Sequence, residues 1–122
     1  TGNAEAAPNL AITKSVSPVP VTENGTLTYT FRIQNYGSVA ATNTTGVVIT
    51  DTFAPVLNNL TAALNGTAWT AATDYTYNEA TGTFSSTAGA ITVPAATYTQ
   101  DSTTGAWVVT PGESTLVITG TV

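Results

Sequence analysis

Over residues 26–34 the chain reads Thr-Leu-Thr-Tyr-Thr-Phe-Arg-Ile-Gln, so that Leu27, Tyr29, Phe31 and Ile33 alternate with Thr28, Thr30, Arg32 and Gln34. Strict period two is the pattern of a β-strand with one face buried and one face wet. Tyrosine, phenylalanine, isoleucine and threonine all suit a pleated surface, so residue preference agrees with the pattern. Residues 10–16 before it and residues 47–51 after it also read as strands. Ser17-Pro18-Val19-Pro20 ends the first of these, because prolines this close together stop ladder pairing. Glu23-Asn24-Gly25 is a tight-turn signal into the alternating strand, and Asn35-Tyr36-Gly37 closes it.

The second half repeats the theme. Residues 60–64 and 67–70 flank Asn65-Gly66, the strongest short hairpin signal in the chain. Residues 74–77 and 83–85 flank a turn at 78–82, and residues 90–93 form a short strand stopped by Pro94. Residues 97–100 and 106–110 flank a turn at 101–105. Pro111-Gly112-Glu113 reads as a further turn, followed by a last strand over residues 114–122. Short strands at regular spacing, with no helical stretch among them, predict an all-β antiparallel sandwich. It forms a single domain over residues 9–122 behind a polar tail, residues 1–8.

Composition narrows function by exclusion. The chain has 122 residues and no cysteine, histidine or methionine, which removes disulfides, thiolate metal sites and the commonest general base. Lys14 and Arg32 are the only bases against seven acids, so the basic footprint that nucleic acid requires is missing. No apolar run approaches the roughly 20 residues of a membrane span. Charged residues make up 7 % of the chain, against about 25 % in ordinary soluble domains. A surface of threonine, asparagine, serine and alanine suits packing against copies of itself in an extracellular setting. The polar start Thr1-Gly2-Asn3-Ala4-Glu5 fits a secreted chain that has lost a leader.

The blocks Asn9-Leu10-Ala11-Ile12-Thr13-Lys14, Gly25-Thr26-Leu27-Thr28-Tyr29-Thr30, Asn35-Tyr36-Gly37 and Val48-Ile49-Thr50-Asp51-Thr52 together resemble a prokaryotic surface repeat, the domain of unknown function eleven. The closing Pro111-Gly112-Glu113 with its alternating strand matches that family's pattern as well. Residues 57–108 carry little of the resemblance, Pro55 comes one residue late, and the middle holds extra hairpin material. The resemblance implies an immunoglobulin-like sandwich on bacterial or archaeal surface proteins, usually in tandem along stalks or adhesins, with no enzymatic activity. A single copy filling the chain suggests a subunit that becomes long by assembling.

Two functions follow as expectations. One is a structural subunit of an extracellular filament, self-assembling head to tail, in which residues 9–16 complete the sheet of a neighbouring copy. Leu10, Ile12 and Val16 are then the knobs, and Pro18 and Pro20 the stiff boundary. The same residues also read as the first strand of their own sandwich. The other function is an adhesive or spacer domain that binds a glycan or a host protein, with Trp69, Tyr75, Tyr77, Tyr98 and Trp107 offering aromatic surface. No enzyme is expected, because no nucleophile stands with a base, and neither a cofactor nor a metal is expected.

Lys14 shares parity with Leu10, Ile12 and Val16, which turns it inward, as Asp51 does with Val47 and Ile49. A salt bridge between Lys14 and Asp51 is one reading; a lysine that reaches back to solvent is another. A third is a spontaneous isopeptide bond, which needs a neutral lysine, an Asp or Asn acceptor (Asn35 is the alternative) and a helper acid such as Glu113 or Glu23. Asn24, Asn43, Asn59 and Asn65 lie in sequons and are open to glycosylation if the source modifies secreted proteins. Asp74, Glu79 and Asp101 lack the dense spacing of a calcium loop and read as solvated turn residues.

Overall fold

The computed structural model describes residues 8–17, 23–42 and 46–122. Ten strands follow in order: β1 (Leu10–Ser17), β2 (Thr26–Asn35), β3 (Thr50–Thr52), β4 (Asn58–Leu64), β5 (Thr67–Ala68), β6 (Tyr75–Asn78), β7 (Thr83–Ser86), β8 (Thr97–Gln100), β9 (Trp107–Thr110) and β10 (Gly112–Thr121). A five-stranded sheet runs β1-β2-β10-β4-β5 and a three-stranded sheet runs β3-β7-β6. The β8–β9 hairpin stands as a separate pair. Every strand pairing is antiparallel. Among the described residues there is no helix, and so none long and apolar enough to cross a membrane. The residue-level expectation of an all-β antiparallel sandwich holds.

The alternation in β2 becomes an alternation in burial: Leu27, Tyr29, Phe31, Ile33 and Asn35 are all buried. Its neighbour β10 does the same with Ser114, Leu116 and Ile118. Facing them, β6 and β7 contribute Tyr75 and Phe84, and the connections contribute Phe53, Leu57, Ile91 and Val93. Phe53 joins the two layers, its ring 4.5 Å from that of Tyr29 and 6.1 Å from that of Phe84. Separations of this size are the tilted aromatic contacts that add to simple burial. Tyr77 braces the chain after Phe53: its hydroxyl donates to the Leu57 carbonyl at 2.7 Å and accepts from the Leu57 amide at 2.9 Å. Loss of water around it raises the tyrosine's pKa.

Three local expectations change. The strand predicted over residues 47–51 shrinks to β3, because Ser86 interrupts the ladder. Its hydroxyl accepts from the Ile49 amide at 2.7 Å, where a backbone carbonyl would otherwise serve. The strand predicted over residues 90–93 reduces to a single bridge between Val93 and Ala41. Gly112, expected in a turn, instead opens β10 opposite Asn35. Glycine is required there because a Cβ would overlap the carbonyl oxygen of Pro94. The Asn65-Gly66 turn is as predicted, with φ of 51° and 83° that match a hairpin turn.

Replacing Gly112 by alanine is expected to cost about 3 kcal/mol or more, since backbone on both sides blocks relief. Gly105→Ala, at φ 75° with open space around it, should cost only about 1–2 kcal/mol. Thermal melts of the two variants check this, and equal losses would contradict the close approach at Gly112.

Candidate functional site

The feature that sets this sandwich apart is its first strand. All eight residues of β1 pair with β2, from Leu10 opposite Asn35 to Ser17 opposite Thr28. Leu10, Ile12, Lys14 and Val16 oppose Asn35, Ile33, Phe31 and Tyr29, so they lie on the core side of the sheet. Yet every residue of β1 is exposed; Leu10, Ile12 and Val16 keep 37, 52 and 38 % of their surface in water. The cause is the facing layer, whose nearest strand β3 is three residues long and leaves β1 uncovered. Under β1 lies a cleft of about 400 Å³ bounded by Ile12, Lys14, Phe31, Val48 and Asp51. A smaller one of about 180 Å³ continues past Leu10 and Ile33 to Val47. Among the described residues no strand pairs with the outer edge of β1. Backbone hydrogen bonds hold this strand, and its apolar side chains are only partly buried.

Among the described residues one ion pair crosses the cleft. Lys14 Nζ lies 2.5 Å from Asp51 Oδ2, joining β1 to β3 and hence one sheet to the other. The ammonium lies 4.9 Å from the ring centre of Tyr29, 5.8 Å from that of Phe53 and 6.0 Å from that of Phe31, distances at which aromatic faces attract a cation. Asp51 Oδ1 accepts from the Thr52 amide at 2.8 Å. Oδ2 is shut off from water and makes no hydrogen bond of good geometry, which leaves the lysine as its compensation. The side chains of Lys14 and Asp51 retain 41 and 21 % exposure. The pair therefore sits at the rim of the core, an ammonium wet on one side and a carboxylate mostly covered.

This geometry is the salt bridge of the sequence reading, and it removes two partners from the isopeptide reading. Asn35 is two core-side positions away along β2 and is fully engaged. Its Oδ1 accepts from the amides of Asn9 and Gly37, and its Nδ2 donates to the carbonyls of Val39 and Pro94. That buried amide holds together the start of β1, the end of β2 and the segment before β8. Sequence reading missed this role, although the Asn-x-Gly spacing was its visible signal. Glu113 opposes Gln34 on the outer face of the sheet, away from Lys14. There it receives hydrogen bonds from Arg32 at 2.9 Å, which hold its carboxyl below the usual range and raise the guanidinium in turn. A depressed carboxylate stabilises the fold above its unfolded range and loses that contribution as pH falls through the folded value. Both groups are open to water, so the contribution is small. Glu23 is exposed in the turn before β2 and makes no ion pair with Lys14.

The other expected sites sort by geometry. Asn24 is exposed in its turn at φ 63°, and Asn59 is exposed on β4. Asn65 is not free for a sugar: its Nδ2 donates to Ser114 Oγ at 3.3 Å and its Oδ1 accepts from the Thr115 amide at 2.9 Å. Asn43, Pro18, Pro20 and the first seven residues of the expected tail lie outside the described residues. Asp74, Glu79 and Asp101 accept backbone amides of Thr70, Asn59 and Thr103. No group of three metal-ligating acids, histidines or cysteines occurs among the described residues. Trp69, Tyr75 and Tyr77 belong to the core or its margin, whereas Tyr98 and Trp107 are exposed on the β8–β9 hairpin, Trp107 to 65 %. No protein-family model, curated protein or solved structure matches the chain.

With the described acids engaged elsewhere or away from the pair, Lys14 and Asp51 are expected to remain an ion pair. Intact mass should equal that of the full sequence. A mass lower by one water would show that the two have condensed to an amide.

Proposed function

We propose that the protein is a structural subunit of an extracellular filament or surface appendage, built head to tail by lending β1 to a neighbouring copy. The observation that carries this reading is the mismatch in β1: a complete eight-residue ladder to β2 with every side chain exposed. A strand held chiefly by its backbone ladder is the kind that another copy of the same strand can replace, because the hydrogen bonds it makes are identical. In such an exchange Leu10, Ile12 and Val16 enter the neighbour's cleft, where contact with the donor's body would add to their burial. Within one chain they stay half exposed. Exchange between identical subunits repeats in one direction, so the contact is heterologous and extends into a fibre.

Composition points the same way. A surface almost without charge repels its copies weakly, and the net charge of −5 is spread over a chain of 122 residues. The resemblance to a prokaryotic surface repeat supports a secreted, non-enzymatic role and an immunoglobulin-like form of the sandwich. The second reading, an adhesive or spacer domain, is favoured by the β8–β9 hairpin. All fourteen residues from 97 to 110 are exposed, and Tyr98, Trp107, Val108 and Val109 offer an apolar surface suited to a glycan or a protein.

Negative-stain electron microscopy of the native material, before and after boiling in detergent, separates the two. Uniform thin fibres are expected before boiling, and their persistence afterwards would favour inserted strands over simple surface docking. Dispersed single particles at every concentration would contradict the filament reading and leave the adhesive one.

A further inference from the structure

The ladder between β1 and β2 cannot choose its own register. Backbone hydrogen bonds are the same at every position, and a slip of two residues returns the same face to the core. On that face β1 offers Leu10, Ile12 and Val16, three apolar side chains of similar size in half-open positions. Lys14 alone is different.

Asp51 reads that difference. Its Oδ2 is covered while Lys14 lies against it and takes no other hydrogen bond, so a strand that places no cation opposite Phe31 removes the charge that compensates a carboxylate at the core rim. A two-residue slip brings Ile12 or Val16 there and moves the ammonium away from the rings of Tyr29, Phe31 and Phe53. The same test rejects wrong strands. The chain's single other base, Arg32, sits on the outer face of β2 and is held by Glu113. No segment other than β1 combines a cation with apolar residues two positions to either side.

Resting on the exchange reading above, we propose that Lys14 and Asp51 pair between copies in the filament, and that this pair fixes register and partner. The occupant of the edge is residues 10–17 of a second copy of this chain. Its Lys14 enters the aromatic rim of Tyr29, Phe31 and Phe53 and neutralises Asp51 of the receiving subunit. The acceptor thereby admits its own kind of strand in one register and discriminates against uncharged edge strands. Rejection is by an unpaired charge, an unfavourable contact rather than a missing favourable one.

The test uses the full chain in four forms: wild type, Lys14→Asp, Asp51→Lys, and the double swap. Each single variant alone faces like charges and should assemble on the order of tenfold less than wild type. An equimolar mixture of the two single variants should recover fibres. Every junction in an alternating copolymer then has opposite charges, whereas within any single chain the pair remains like-charged. The double swap should assemble alone but not join wild-type fibres. If the single variants assemble as well as wild type, the pair is no register key, although exchange still stands. If wild type forms fibres, the single variants do not and mixing fails to rescue them, the pair lies within one chain and the proposal is overturned. If wild type never leaves the monomer, exchange itself fails. Should charge reversal prevent folding, as seen by loss of the sheet signal in circular dichroism, Lys14→Gln replaces it. That variant should keep the sheet signal and lose most of its assembly; unchanged assembly overturns the proposal.

Discussion

The ladder between β2 and β10 is the contact on which the other elements depend. Ten residue pairs run from Gly112 opposite Asn35 to Thr121 opposite Thr26, and both strands turn alternate side chains into one core. Full burial of a leucine, isoleucine or phenylalanine contributes about 1.5–3 kcal/mol. Leu27, Phe31, Ile33, Leu116 and Ile118 are each exposed by 3 % or less. Backbone hydrogen bonds contribute about 1 kcal/mol each on balance. In this ladder the two terms act together on the same residues, and the layer of β6, β7, Phe53 and Leu57 packs onto what they create.

On the other side of β2 the two terms come apart. β1 has the full ladder with only partial burial, since Leu10, Ile12 and Val16 keep between 37 and 52 % of their surface in water. Its attachment is therefore the kind most easily lost and remade, and a local opening there leaves the core ladder intact. The same opening exposes the inner edge of β2, an unpaired strand edge of the sort that recruits another chain. Lys14 lies mid-strand on β1, opposite Phe31, and pairs with Asp51 of β3. Their contact ties β1 to the facing layer across the cleft.

Much of this was legible in the residues, and what was not has a physical cause. The alternation of residues 26–34 specified β2 and its buried face, and Asn65-Gly66 specified the β4–β5 turn. Parity alone brought Lys14 and Asp51 to one side, because period two survives even where the strand is short. Parity could not show how far the opposite layer extends. Lys14 thus proved to be at a wet rim rather than in the interior. Gly112 looked like a turn because Pro-Gly usually is one; the approach of Pro94 is a long-range contact that no local pattern carries. Asn35 is similar, since its four hydrogen bonds reach residues as far apart as Asn9 and Pro94. Glu113 was misplaced as a helper acid because its face is set by register with β2.

Exchange of β1 conserves its hydrogen bonds, so the balance between one chain and many rests on the connection through residues 18–25 and on protein concentration. The most direct measurement exploits the absence of cysteine from the chain. Ser15 and Thr30 oppose each other on the outer face of β1 and β2, and replacing both by cysteine places a disulfide across the ladder. After oxidation of assembled material, a non-reducing denaturing gel reports whether that bond lies between chains. A ladder of multimers that collapses to monomer on reduction is the predicted result. Monomer alone, from fibres seen by microscopy, would show that β1 stays with its own chain.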